Sequence, residues 1–283
     1  MEFPRLDIYQ IYKQRLFSPS TELKINNRII FLHMTFQAFI KIFRTKLYLY
    51  PNMLTIIVFS LFTSQSSAQE KLKVNYKHLT YLPKNYNIDT SKYPLVIYLH
   101  GGSQKGNDLE KLKVYGLPYL VDQGKEFEFV MVAPQCPEGR YWSTENWFDS
   151  LYNEVTSNYR IDKSRVYVTG ISMGGYGTYI TALDHSEKIA AIVPLCGGVN
   201  DNDTTRICTL KDIPILTYHG TADEEISILE TERIAESLKK CNGNITFHRL
   251  EGEGHGIQYL YETKSEIYEW LLKQRKSMNT KQL

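Results

Sequence analysis

Gly170-Ile171-Ser172-Met173-Gly174 places a serine between two glycines, each two residues away, where the apolar run Arg165-Val166-Tyr167-Val168-Thr169 gives way to a helix-compatible stretch. A serine on so tight a strand-to-helix turn has strained backbone angles, and the glycines remove side chains that would collide across the bend. Its hydroxyl then stands above the sheet, at the start of a helix whose free N–H groups can stabilise a developing oxyanion. A serine hydroxyl attacks acyl carbon poorly until a base takes its proton, so this chemistry needs a histidine and an acid to orient it. Downstream, Asp223 follows residues 213–218 through His219-Gly220-Thr221-Ala222, and His255 lies in Glu253-Gly254-His255-Gly256 after residues 244–250. His255 is the candidate base and Asp223 the candidate acid. Of the other histidines, His248 falls inside a strand, His219 precedes the acid and His100 opens a glycine-rich loop. Glu224 and Glu225 read as favourable charges at the start of the next helix, Asp201 and Asp203 lie in a polar loop, and the structural alternative for Asp223 is an N-cap. An oxyanion hole needs two donors: the Met173 N–H is one, and an amide at Gly102 or Ser103, in His100-Gly101-Gly102-Ser103, is the other.

The elements that must position these groups are legible from their composition. Residues 95–99, 129–133, 166–169, 190–195 and 213–218 are nearly all apolar, as in parallel strands buried on both faces. Helix-compatible stretches lie between or after them at 147–159, 173–183, 225–240 and 263–273. Residues 71–82 alternate loosely through Val74, Tyr76, Leu79 and Tyr81, marking edge strands that Pro83 stops. The alternation predicts one doubly wound, mostly parallel α/β domain over residues 69–283. In such a sheet ligands collect beyond the carboxyl ends of the strands, and every candidate above falls at such an end. Tyr141, Trp142 and Trp147 follow the strand at 129–133 and are expected to roof the site against an aromatic or sugar-linked substrate, core packing being the alternative. Tyr176 reads as a core residue.

The formal charge is +2, with eight Lys or Arg against three acids in residues 1–68 and 25 basic against 28 acidic residues after them. The basic excess belongs to the leader, and nothing suggests a nucleic-acid surface. Lys41, Arg44 and Lys46 precede the apolar run 53–62, and Ser66 and Ala68 fit a small-x-small cleavage site. This predicts a signal peptide cut near Ala68 and a secreted or periplasmic protein without a stable membrane span, since about ten apolar residues do not cover a bilayer that needs roughly 20. Residues 1–33 read as a start-site overextension, with Met34 the better start. The cysteines, Cys136, Cys196, Cys208 and Cys241, all lie in the exported part. Cys196 and Cys208 are close enough in sequence to staple the loop between them, the alternative being free buried thiols. Without C-x-x-C, H-E-x-x-H or a tight His/Cys cluster, neither a metal site nor a cofactor is expected.

Tyr81-Leu82-Pro83, His100 to Ser103, the run from Ile161 to Gly177 and His219 to Asp223 together resemble secreted bacterial α/β-hydrolases of the esterase and predicted-peptidase group. That group is close to polyhydroxybutyrate depolymerase-like and feruloyl esterase-like enzymes and is often labelled with prolyl oligopeptidases. The resemblance runs from about Lys71 to Lys273. It implies the α/β-hydrolase fold and Ser172, Asp223 and His255 as the triad; the group spans enzymes for acetyl, feruloyl and polymer esters and others called peptidases, and the substrate expected here is a small-molecule or polysaccharide-linked ester. The expectation is therefore an exported serine carboxylesterase. A serine peptidase with the same machinery and a non-catalytic glycan-binding protein on a hydrolase scaffold are the rivals.

Overall fold

A computed structural model of the chain describes residues 73–276, so the leader expected at residues 1–68 lies outside the described residues. Among the described residues, seven strands form one sheet in the order β1-β3-β2-β4-β5-β6-β7. They are β1 (His78–Tyr81), β2 (Tyr93–Leu99), β3 (Val130–Pro134), β4 (Ile161–Ile171), β5 (Ala191–Leu195), β6 (Ile215–Gly220) and β7 (Ile245–Leu250). β1 runs antiparallel to β3, and every other neighbouring pair is parallel. Five helices of seven or more residues join them: α1 (Gly116–Asp122), α2 (Phe148–Asn158), α3 (Met173–Asp184), α4 (Leu229–Lys240) and α5 (Glu266–Lys273).

The apolar runs explain the layering. Successive strand side chains point to opposite faces; Leu95, Ile97 and Leu99 of β2 join one buried cluster, while Val96 and Tyr98 join the other. The first cluster is covered by Phe148 and Leu151 of α2, Tyr179 of α3 and Leu238 of α4. The second is covered by Leu117 and Leu120 of α1 and by Ile267 and Leu271 of α5. A strand apolar at every position is thus covered on both sides, as a parallel sheet wrapped by helices requires. β7, with alternating polar residues, is an edge strand that remains partly exposed.

Some boundaries differ from the sequence expectation for local reasons. α4 begins at Leu229 instead of residue 225, because the Asp223 carboxylate accepts hydrogen bonds from the Glu225 and Ile226 N–H groups and folds that stretch into a turn. Within residues 73–82, only β1 is a strand, with an isolated bridge from Lys73 to Asn146. The turn Leu109–Val114 and α1, between β2 and β3, have no counterpart in the hydrophobic pattern.

The expected pairing of Cys196 with Cys208 is corrected: Cys208 is bonded to Cys241, with Cα atoms 6.0 Å apart, and Cys136 and Cys196 are free and buried. Cys196 directly follows β5 and directs its sulfur toward the His255 carbonyl, 3.7 Å away. Cys208 sits instead on the turn Ile207–Leu210, which packs beside α4, where Cys241 caps the helix. Closing a loop of this separation restricts the unfolded chain by about 3–4 kcal/mol. Cys208→Ser is therefore expected to lower the unfolding free energy by about 2–4 kcal/mol in denaturant melts while leaving the serine site's reactivity unchanged; an unchanged midpoint would refute the stabilising role.

β2 is followed by β3 on one side, and the chain then returns to place β4 on the other, making a topological switch between β2 and β4. A crevice opens outside the carboxyl ends at such a point. Leu99 pairs in register with Gly170, so residues leaving β2 meet residues leaving β4.

Candidate active site

Ser172 leaves β4 with φ 58° and ψ −120°, a left-handed conformation that is costly for a residue with a Cβ. The surroundings enforce it: the Ser172 N–H donates to the Leu195 carbonyl at 3.0 Å, and its own carbonyl accepts from the Tyr176 N–H at 3.1 Å. A Cβ at Gly170 would lie 2.5 Å from the Leu99 oxygen, and one at Gly174 would run into the same carbonyl. Only glycine at both places lets α3 begin this close to the sheet.

The other two candidates arrive from neighbouring strand ends. The loop after β7 folds back over the loop after β6, with the Ala222 N–H donating to the Glu253 carbonyl at 2.9 Å and the Thr221 N–H to the Leu250 carbonyl at 3.0 Å. That crossing carries His255 over the end of β5 to Ser172. His255 Nε2 lies 2.8 Å from Ser172 Oγ, and His255 Nδ1 lies 2.7 Å from Asp223 Oδ2. The Asp223 side chain has no solvent exposure, and its Oδ1 accepts from the N–H groups of Glu225 and Ile226 at 2.9 Å each. An ionised carboxylate at Oδ2 only accepts, so Nδ1 carries the proton and Nε2 offers its lone pair to the serine hydroxyl. That is the protonation pattern a base needs.

The glycine-rich loop is held against this group. A Cβ on Gly101 would lie 3.8 Å from Ser172 Cβ, and Gly102 starts the short turn Gly102–Gln104. The first N–H groups of such a turn, like that of Met173 at the start of α3, lack an acceptor within their own helix; these are the groups singled out at Met173, Gly102 and Ser103. Ser103 Oγ lies 3.2 Å from the Tyr115 hydroxyl. His100, fully buried, anchors the loop: its Nδ1–H donates to the Gly101 carbonyl at 2.7 Å and its Nε2 accepts from the Cys136 N–H at 2.9 Å.

That arrangement requires a neutral ring, and burial lowers the His100 pKa to about 4. Burial also lowers His185 and His219 below the ordinary imidazole value. Unfolding frees these rings to take up protons, so the stability they carry is complete above pH ~6.5 and is lost as pH falls toward the folded-state value. For His100 alone this amounts to about 3 kcal/mol. Urea melts at about pH 7 and about pH 4.5 should differ by about 2 kcal/mol on account of this ring, and His100→Gln should remove that part of the difference; a stability independent of pH in this window would contradict the neutral anchor.

The three aromatic residues expected to roof the site divide. Tyr141 is 44% exposed, with the Lys105 ammonium 3.9 Å from its ring centre. Trp142 and Trp147 are buried beneath the loop, their indole N–H groups donating to the His100 carbonyl at 3.2 Å and the Trp142 carbonyl at 2.9 Å. They support the glycine-rich turn from below and do not face the crevice. Two other side chains border the serine: Tyr115, through Ser103, and Glu225, whose Oε2 lies 3.8 Å from His255 Nε2. The turn at Asp223 brings Glu225 back from the helix start where sequence placed it. Tyr115 carried no sequence signal beyond its neighbourhood. Among the described residues, the group of His, Cys and acidic side chains close enough to share a metal ion is Cys196, Asp223 and His255, which coincides with this site.

The sequence model of the family described as Phospholipase/Carboxylesterase matches residues 142–270, and that described as Putative esterase matches residues 69–203. A bifunctional acetylxylan esterase/xylanase of Neocallimastix patriciarum is 29% identical over 165 residues, covering 56% of this chain and 23% of that protein. Feruloyl esterase D of Neurospora crassa is 27% identical over 180 residues, covering 57% of this chain and 58% of that protein. The chain thus spans less than two thirds of the length of these relatives. The solved structure of a thermostable esterase superposes with a TM-score of 0.58 at 28% identity, over 70% of this chain and 59% of that one.

Proposed function

Starting from a chain that has the α/β-hydrolase fold and resembles the esterase group of that fold, we propose that it is an exported serine carboxylesterase acting on acetyl or feruloyl esters of polysaccharides. The observation that supports the serine mechanism is the single imidazole that reaches Ser172 Oγ with one nitrogen and Asp223 with the other. Ser172 Oγ attacks the acyl carbon as its proton passes to His255 Nε2, and the carbonyl electrons collect on an oxygen facing the N–H groups of Met173 and of Gly102 or Ser103. Collapse of that adduct expels the alcohol, which takes the proton from His255, and leaves an acyl-Ser172. Water then attacks the acyl carbon while giving a proton to His255, and the carboxylic acid departs as the proton returns to Ser172.

The substrate class comes from the relatives named above, whose names carry acetylxylan and feruloyl esters. Export accords with the Cys208–Cys241 disulfide, a bond that persists in oxidising compartments. Among the described residues, no helix is long and apolar enough to cross a membrane. The test is a panel at equal concentration: 4-nitrophenyl acetate, methyl ferulate, acetylated xylan and peptide anilides, together with labelling by a fluorophosphonate probe. Turnover of the esters and labelling at Ser172 are expected. Peptide turnover exceeding ester turnover would transfer the assignment to a peptidase. Saturable xylan binding without turnover or labelling would overturn the catalytic reading altogether.

A further inference from the structure

His219 is fully buried beside the acid, at the end of β6, and the proposed reaction gives it no role. Its Nε2 lies 2.9 Å from the Ile226 carbonyl and 3.3 Å from Asp223 Oδ2, the same oxygen that receives His255 Nδ1–H. Its Nδ1 lies 2.8 Å from Thr231 Oγ1, which is in turn 3.1 Å from the Gly197 carbonyl. Both atoms facing Nε2 are acceptors only, so Nε2 carries a proton. The one hydroxyl proton of Thr231 faces both Nδ1 and the Gly197 carbonyl, and given to the nearer Nδ1 it leaves the ring neutral, in keeping with the burial that lowers its pKa.

We propose that His219 is a positioning residue: its single Nε2–H, given to the Ile226 carbonyl, also faces Asp223 Oδ2 at 3.3 Å and so helps set how strongly the acid favours a protonated His255. The proposal rests on the reading of Ser172, His255 and Asp223 as a triad. Asp223 then receives three hydrogen bonds and faces a further N–H. The Glu225 and Ile226 N–H groups hold Oδ1, His255 donates to Oδ2, and the His219 Nε2–H lies 3.3 Å from that same oxygen. Each added donor draws electron density from the carboxylate, which stabilises the imidazolium less when its charge is more dispersed. Other titratable or charged groups facing His255 are Glu225 at 3.8 Å from Nε2 and the Cys196 thiol near its carbonyl, with Glu253 two residues away on its own loop. Burial holds the Cys196 thiol well above its ordinary value, so it stays uncharged. Glu225, 72% exposed, is screened by water, which leaves His219 as the buried group acting on the acid.

Two near-isosteric variants separate positioning from packing. His219→Gln keeps an N–H donor near the Nε2 position and loses the Thr231 contact. His219→Asn keeps the Thr231 side and loses the donor to Asp223. The expected result is that His219→Asn moves the acidic limb of the kcat/KM profile up by about 0.5 to 1 pH unit with KM unchanged, whereas His219→Gln leaves the limb in place. If neither variant moves the limb, or if Gln moves it and Asn does not, the proposal is overturned. Should His219→Asn not fold, ¹⁵N imidazole resonances of the unaltered protein decide the point, with His219 assigned by its loss in the Gln variant. A neutral Nε2–H tautomer is expected, and an Nδ1–H tautomer refutes the donor. That readout needs no turnover, so its failure is distinguishable from failure of the triad, which would appear as an unaltered protein inert to ester and fluorophosphonate alike.

Discussion

Ser172→Ala is expected to reduce ester turnover by about 10⁴- to 10⁶-fold and to abolish fluorophosphonate labelling, with no loss of thermal stability. The size follows from the arrangement around one oxygen atom. His255 Nε2 is 2.8 Å from Oγ and is oriented by a buried carboxylate, so base, acid and oxyanion donors all act through the bond this oxygen forms. Without Oγ they have nothing to activate except stray water, and residual rate comes only from binding and the oxyanion donors. The fold has little reason to notice the change. The backbone at position 172 is held at φ 58° by its own N–H and carbonyl bonds to Leu195 and Tyr176, and alanine keeps both. Steady-state kinetics beside a thermal melt checks both halves. Turnover within tenfold of the unaltered protein would remove the serine mechanism, whereas a collapse of the melt would mean the hydroxyl serves the fold.

How much of this was readable beforehand depended on whether the signal was local. β2, β3, β5 and the part of β4 from Val166 onward are apolar at almost every position, and that property has few structural readings besides a sheet covered on both faces. The turn at Ser172 was readable because glycines are demanded at fixed offsets by a backbone carbonyl from a neighbouring strand. Asp223 and His255 were reachable through chain order and the strand ends they follow. What sequence did not carry is which side chains turn inward after a strand ends. Trp142 and Trp147 read as a roof because aromatic residues near a site suit recognition, yet the Trp142 indole N–H finds the His100 carbonyl, that of Trp147 finds the Trp142 carbonyl, and both rings join the buried cluster that includes Phe148 of α2. Cysteine pairing failed for a related reason. Twelve residues separate Cys196 from Cys208, but one directly follows a central strand beneath His255 and the other lies beside α4, a separation set by topology. In sequence His219 merely precedes the acid, and only the fold shows that its ring lies back against it.

Asp223→Asn is expected to cost about 10³- to 10⁴-fold in kcat while preserving the fold and a slow reaction with fluorophosphonate, which separates it from Ser172→Ala. The near-isosteric amide can keep its oxygen at the Oδ1 position and go on accepting from the Glu225 and Ile226 N–H groups, so the turn that leads into α4 survives. The amide nitrogen then occupies the Oδ2 position, where it presents N–H to a ring nitrogen that itself presents N–H, His255 Nδ1. Two donors facing each other in a site with no solvent exposure cannot both be satisfied. His255 relieves the conflict by moving its proton to Nε2, which leaves Nδ1 to accept from the amide and points an N–H at Ser172 Oγ. In that tautomer the ring cannot take the serine proton, and the imidazolium formed during attack loses its compensating charge. The loss therefore falls on kcat, with KM little changed because the carboxylate lies beneath the crevice and out of contact with substrate. A variant that retained turnover within tenfold would show that Asp223 only caps the turn.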